Sequence, residues 1–540
     1  MSATDRPDLL FLGATVETMT DDAGPADAVA VRDGRIAFVG SSADARPLIG
    51  SGTRVIELES ETLLPGFQDA HIHPIEGGML SRSCDLHDLA DAAAYLEAIA
   101  AHATAHPDRA WITGSGWSLP AFPRGEPHRS LLDAIVSNRP VLLESDDGHV
   151  AWANSKALTI GGIDRTTQDP PGGRIVRDSG GEPTGTLHDY AIDLVSAHAP
   201  QATHDDLLEG LRAAQRHLHA LGITGWQDAH VEPEALAAYR DAATAGWLTA
   251  RVVAALWWRR EAGLEQIDGF EAQRDASAVG RLRADSVKLM LDGILESRTA
   301  LMTAPYIGHD GGAGLPFFDP DLLRRAVIEL DRRGFQAHFH AIGDAAVRLA
   351  LDVVQAAMRA NGAGDHRHHI AHIEVIHPDD IARFAELGVV ANMQPFWASD
   401  DDQMRKLRIP VLGPDRAGWQ FPFAGLLRSG ARLAGGSDWT VTTANPLLEI
   451  EVAVNRVAPD TRDAAPFLPD ERLTLDAALR AFTIGSAYVN HLDAETGTIE
   501  VGKLADLVVL DRNFRDERAG PIGDATVRQT FVEGQEVFSA

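Results

Sequence analysis

At 540 residues, the chain exceeds the roughly 250 residues of a bare (β/α)8 barrel and must carry additional structure. Its 45% hydrophobic and 23% charged residues place it among soluble globular enzymes. A net charge of −30 with no lysine/arginine-rich block argues against a nucleic-acid partner, which would be held through phosphate contacts.

The N-terminus, Met1-Ser-Ala-Thr-Asp-Arg-Pro-Asp, lacks the basic and apolar regions of a signal peptide. No run of about 18 apolar residues suggests a membrane span. The expectation is a cytoplasmic enzyme acting on a small molecule, with neither nucleic acid nor membrane as partner and a homodimer left open. The single cysteine, Cys84, rules out an intramolecular disulfide and a cysteine-based zinc site, and reads as a small hydrophobe. Any metal must be held by His, Asp, Glu or a modified Lys.

In chain order, Leu9-Leu-Phe-Leu-Gly13, Ala28 to Gly40 and Thr53 to Leu58 fit short strands, and Asp33-Gly34 marks a hairpin turn. The end of the chain is similar: Ala505 to Asp511 and Val527 to Phe538 read as strands. Two β-rich ends around a different middle predict one small β-sandwich built from both termini (residues 1–62 and 491–540). A barrel over 63–490 is inserted between them. The Gly-, Pro- and Trp-rich stretch at about 84–200 reads as an insertion covering the barrel mouth. Beyond it, strands and helices alternate. Phe335 to His340 is a predicted strand, followed by a helix from about Asp344 to Ala360. His368 to Glu374 precedes a helix from Pro378 to Leu387, Val389 to Pro395 is the next strand, and Ala431 to Asp438 follows a helix that stops at Gly430. Repeated β–α–β units with glycines at helix exits imply a parallel sheet, and their number favours a TIM-like barrel.

Four places in this region put a metal-ligating side chain at the C-terminal end of a predicted strand. His71 and His73, at i and i+2, point the same way and can reach one ion. His340 and His372 lie about one βαβ unit apart, and Asp438 follows Gly435-Gly-Ser. Catalytic residues of barrels gather at that face. Neutral imidazoles bind Zn²⁺ or a similar ion, which lowers the pKa of a bound water towards about 7, and a neighbouring carboxylate can accept its proton.

Pro65-Gly-Phe-Gln-Asp-Ala-His-Ile-His73, His340-Ala-Ile-Gly-Asp344, Gly436-Ser-Asp438 and Gly502-Lys-Leu-Ala-Asp-Leu-Val-Val-Leu510 resemble amidohydrolase family 3, the branch containing N-substituted formamide deformylase. The resemblance runs over nearly the whole chain, through Trp111 to Trp117, Asp147-Gly-His149, Pro170 to Arg174, Gly222 to Asp228 and Asp292-Gly. It implies that His71 and His73 bind a first divalent metal, and His340 and His372 the same ion or a second. Asp438 is implied as ligand and general base. Lys288 matches the superfamily's strand-four lysine, which bridges two ions when carboxylated. Zinc is the first expectation, as one or two ions per subunit, with manganese or ferrous iron as alternatives. Two departures stand out: Ala371 where relatives often have Glu, with Glu374 lying beyond His372, and Asp189 beside His188 where many relatives carry Glu.

Other residues are weaker candidates. His149 could reach the site and donate to a substrate carbonyl, or be a structural loop histidine. Trp117, Trp152 and Trp397 could wall a substrate pocket, though tryptophan is more often core. Asp292 is a substrate-binding candidate that, like Asp228, could instead cap a turn. The cluster His366, His368, His369 and His377 reads as surface. The implied reaction is hydrolysis of an amide or formamide C–N bond; lactone, carbamate or cyclic imide hydrolysis and deamination remain open, and a non-catalytic scaffold is the reading from another class.

Overall fold

A computed structural model describes residues 6–21, 24–308 and 312–540 of the chain. Its centre is a barrel of eight parallel strands: β1 (Phe67–Ile72), β2 (Ile223–Val231), β3 (Arg251–Trp257), β4 (Leu282–Met290), β5 (Gln336–Ala341), β6 (His369–His372), β7 (Val390–Met393) and β8 (Leu433–Gly435). Each strand pairs with its neighbour in sequence order. Helices such as Pro320–Arg332 and Asp344–Asn361 cover the outside, burying Leu323, Val327 and Leu330, and Val347, Leu351 and Val354.

The ring closes between β1 and β8 through loop and side-chain contacts. Asp438 N donates to His71 O at 2.8 Å, His73 N to Trp439 O at 2.8 Å, and Asn392 Nδ2 to Ala70 O at 2.9 Å. The segment 435–438 can come this close because it starts with glycines: a Cβ on Gly436 would lie 2.8 Å from His71 N. Barrel interiors are usually filled with branched aliphatic side chains, yet here Gln68, Gln227, Gln336, His338, His369 and Asn392 are all buried. Gln227 donates to Gln336 at 2.9 Å, and Asn392 contacts His369 Nδ1 at 3.1 Å.

Both chain ends contribute to a β-sandwich. One sheet takes Leu9–Leu12, Ala28–Arg32, Arg35–Gly40 and Arg54–Glu57; the other joins Thr15–Val16 and Thr62–Pro65 to Leu507–Leu510, Val527–Val532 and Gln535–Ser539. Asp33 and Gly34 both have positive φ (50° and 74°), as the hairpin turn between the second and third strands requires. Phe11 meets Phe531 edge-on at 5.1 Å in the shared core. A six-stranded sheet between Cys84 and Asp189 sits over the barrel mouth, with Cys84 buried in its core. Among the described residues, no helix is long and apolar enough to cross a membrane.

Some elements differ from the sequence expectations. The strand expected at Ala431 to Asp438 ends at Gly435, leaving Asp438 in the loop beyond, and the strand expected to reach Glu374 ends at His372. The left-handed backbone at His372 (φ 77°) ends the second of these ladders, and Asp438, in the loop beyond the other, is left-handed as well (φ 53°). His368 and His369 are buried, not surface: His368 Nε2 meets Asp331 at 3.1 Å, and His369 faces the barrel interior.

Sandwich and barrel are joined by charge. Arg251 at the start of β3 donates from Nε to Asp506 at 2.7 Å and from a terminal nitrogen to Glu533 at 2.8 Å, and Arg281 also reaches Glu533. Arg251 and Asp506 are almost fully buried. Breaking such a pair from one side leaves an uncompensated charge, so Arg251→Met should cost about 3–5 kcal/mol in chemical denaturation. The double variant Arg251→Met with Asp506→Leu should recover part of that loss. Equal loss in both would show that packing, not the stranded carboxylate, sets the cost.

Candidate metal centre

The C-terminal ends of five strands bring six side chains together. His71 lies next to the last residue of β1 and His73 just beyond it; Lys288 lies on β4, His340 on β5, His372 at the end of β6, and Asp438 just past β8. Asp438 Oδ1 is 3.2 Å from His71 Nε2 and 3.0 Å from His73 Nε2, and Asp438 Oδ2 is 3.7 Å from His372 Nδ1. Lys288 Nζ is 3.2 Å from His71 Nε2. The His340 and His372 rings are 4.4 Å apart. His71, His73 and Asp438 offer ligand atoms that all lie within 4.8 Å of one another.

The electrostatics suit a cation. Burial holds the imidazoles of His340 and His372 well below their ordinary value, and burial with the Lys288 charge pushes His71 down to about 3, so all three stay neutral. Burial would raise the Asp438 carboxyl, but His71 and His73 hold it well below the usual carboxylate range. Burial pushes the Lys288 amine down to about 7, against the pull of Asp438. Asp438 Oδ1, His340 Nε2 and His372 Nδ1 are buried without a hydrogen-bond partner among the described residues. Buried polar atoms are normally satisfied, and Zn²⁺-type ions take neutral imidazole and carboxylate donors. The four histidines and Asp438 therefore fit one or two divalent ions, with Lys288 beside them.

Backbone strain concentrates here. His372 (φ 77°), Ile373 (44°), Asp438 (53°) and Asp189 (49°) are all left-handed, which is costly for a β-branched residue such as Ile373. Local bonds hold these turns: His372 N donates to Gln394 Oε1 at 2.7 Å, and Ile373 N to Ala341 O at 3.2 Å.

The insertion supplies the opposite wall. His149, in the hairpin between Val141–Ser145 and Val150–Ala153, bonds through Nδ1 to Asp189 Oδ1 at 2.6 Å, and its ring lies 5.3 Å from that of His340. Burial alone would lower the His149 imidazole, but Asp189 outweighs it and raises it to about 9. Between the two walls lies a cavity of about 1060 Å³, lined by these groups and by Trp257, Phe317 and Trp397.

The model of the amidohydrolase family matches residues 54–538. The chain belongs to the amidohydrolase family. It is 33% identical over 98% of its length to Protein LONG AFTER FAR-RED 3 of Arabidopsis thaliana, covering 91% of that protein. It is 28% identical over 98% of its length to the N-substituted formamide deformylase of Arthrobacter pascens, also covering 98%. Among solved structures, an uncharacterized metal-dependent hydrolase from Pyrococcus furiosus superposes with a TM-score of 0.72 at 27% identity, covering 94% of this chain and 99% of that one.

Of the side chains singled out in the sequence, the amidohydrolase brings His71, His73, Lys288, His340, His372, Asp438, His149 and Trp397 to one cavity. Trp397 lies parallel to the His372 ring, at 9° and 5.4 Å. Trp117 and Trp152 are elsewhere: both are fully buried in the insertion around Phe122, with their indole nitrogens donating to Leu143 O and His128 O. Asp292 is not on the cavity wall. Its carboxylate is fully buried, accepts the backbone N–H groups of Leu301, Ile342 and Gly343, and stands 3.7 Å behind His340 Nε2. Asp228 is also buried and bonded to Tyr239. Glu374 lines the cavity, paired with Arg408 at 3.3 Å, and Arg408 also bonds Glu296. Glu374 stands out in the sequence as a departure from the family pattern, but Arg408, Glu296, His338 and the partner role of Asp189 do not. For His338 a signal existed: it is two residues before His340 and so on the same strand face.

The His149–Asp189 pair gives a test of sign. A raised imidazole contributes stability in full below its ordinary value of 6.5, and that contribution is lost as pH rises through about 9. The melting-temperature deficit of Asp189→Asn should be widest below pH 6.5 and should shrink above pH 9. A deficit independent of pH would show that Asp189 acts other than through the His149 charge.

Proposed function

We propose that this amidohydrolase is a metal-dependent hydrolase that cleaves the C–N bond of an amide or N-substituted formamide. One observation carries the reading: a buried carboxylate, Asp438, stands 3.0–3.7 Å from imidazole nitrogens of His71, His73 and His372, with Lys288 beside them. The metal-dependent hydrolase named among the structural neighbours and the deformylase among the relatives support it.

His71, His73, His340, His372 and Asp438, with Lys288 once carboxylated, would hold the metal, with zinc as the first candidate. When bound, a divalent ion acidifies a water and polarises a carbonyl. Asp438 accepts the proton of the attacking water and returns it to the leaving nitrogen. His149, kept charged by Asp189, donates from Nε2 to the carbonyl oxygen and stabilises the charge that develops there. Trp397 and Trp257 give the substrate an apolar wall, and a cavity of about 1060 Å³ accepts a substrate much larger than the scissile group. Lys288, buried and shifted down to about 7, is sufficiently deprotonated near neutral pH to take up carbon dioxide as a carbamate. Intact mass under native conditions should then show one added carbon dioxide per chain, which Lys288→Ala abolishes.

Chelation should abolish hydrolysis in a screen of amides, formamides, lactones and carbamates, and zinc or manganese should restore it; full activity in metal-free protein would sink the reading. A preference for lactones would keep the machinery and overturn the C–N assignment. Asp438→Asn should keep the fold and much of the metal while kcat falls at least about 10²-fold without a matching rise in KM. Steady-state kinetics and metal content on one sample check this, and turnover within a few-fold of the parent would remove Asp438 as the base.

A further inference from the structure

His71 is supported from behind by another histidine. Its Nδ1 lies 2.8 Å from Nε2 of His338, and the His338 ring lies 3.9 Å from that of His369. His338 and His369 are fully buried inside the barrel, and neither is among the residues assigned above to metal or substrate. Ligand imidazoles commonly donate their second N–H to a carboxylate, a backbone carbonyl or water. Here the group in that position is a second imidazole, that of His338.

The proton in this contact has two possible positions. If His338 donates, the neutral His71 carries its hydrogen on Nε2, pointing at Asp438 and Lys288, and offers no lone pair there. If His71 donates, its Nε2 lone pair faces Asp438 Oδ1 at 3.2 Å. The surroundings leave His338 able to accept. Gln394 donates to Asn392 Oδ1, which orients the Asn392 amide so that its Nδ2 donates to Ala70 O and His369 Nδ1. A neutral His369 therefore carries its hydrogen on Nε2. The outer nitrogens, His338 Nδ1 and His369 Nε2, have no hydrogen-bond partner among the described residues, so nothing described there forces the His338 hydrogen onto Nε2.

We propose that His338 is a positioning residue: it accepts a hydrogen bond from His71 Nδ1–H and keeps the His71 Nε2 lone pair turned toward Asp438 and Lys288 for a divalent ion. The inference rests on the metal-dependent reading above. It separates two functions on one face of β5, with His340 as ligand and His338, two residues earlier, as the residue that sets the tautomer of a ligand on β1.

The test compares His338→Met, which keeps bulk and loses the acceptor, with His338→Gln, whose amide oxygen can accept. Metal-free proteins are titrated with zinc against a chromophoric chelator, and circular dichroism and melting temperature establish folding. His338→Met should lose about 10–100-fold in zinc affinity, and His338→Gln should recover most of it. With cobalt, the visible bands of His338→Gln should shift from those of the parent, because a different acceptor changes the donor strength of His71. Parent-like affinity in His338→Met, or His338→Gln as weak as His338→Met, overturns the proposal. If His338→Met does not fold, the cobalt spectrum of His338→Gln decides: a shift supports the role and parent-like bands overturn it. A parent that binds no zinc sinks the functional reading as well, whereas tight parent binding with unaffected variants removes only the role of His338.

Discussion

A buried carboxylate set against uncharged imidazole nitrogens is the constraint around which this molecule is arranged. Asp438 sits with its oxygens 3.0–3.7 Å from nitrogens of His71, His73 and His372, of which His71 and His372 are held neutral. Burial of a carboxylate among imidazoles set this close is favourable where positive charge stands between them. The backbone is bent to achieve it. Asp438 takes a left-handed conformation, and its N–H reaches back to His71 O, which is also one of the bonds that close the barrel. Closing the barrel and building the cradle are the same structural event.

That coupling accounts for other oddities of the fold. Strand β8 is only three residues long because the chain must leave the ladder to present Asp438, and β6 stops at His372 for the same reason. Side chains take over where the ladders end: Gln394 receives His372 N, and Asn392 spans from β7 to Ala70 on β1. The amides inside the barrel thus replace backbone pairing lost to the site. Polar groups in a barrel interior are costly unless satisfied, and here many of them bridge strands that the shortened ladders leave apart.

The barrel was legible because its signals are local. Glycines at helix exits, and histidines two residues apart on a strand, follow from periods of 3.6 and 2, so His71, His73, His340 and His372 could be placed at strand ends without coordinates. Other features needed three dimensions. Trp117 and Trp152 lie in a Gly- and Pro-rich segment where composition cannot tell a pocket wall from a core, and both proved to be core. His369 looked like surface because histidine neighbours surround it in sequence, yet strand alternation turns it into the barrel. The pairing of Arg408 with Glu296 and Glu374 joins residues 112 apart in sequence in one case and 34 in the other, with no periodicity to betray it. Asp189 was visible only as a departure from the family pattern; its use became clear once the insertion placed it against His149.

A barrel of this kind hosts many chemistries, so family membership alone does not decide the reaction. The division of labour in the structure narrows it. The histidines and Asp438 are carried by short strand ends that are bonded to one another where the barrel closes. The charged donor, His149, comes from the insertion and is set by one carboxylate at 2.6 Å. A cationic donor facing the cradle across a cavity matches an oxygen that gains negative charge as water adds to a carbonyl. It has less to offer a reaction in which the attacked carbon bears only ring nitrogens, because no such oxygen develops. The hairpin at 145–150 and Asp189 thus shape the cavity as much as the strand ends opposite them do.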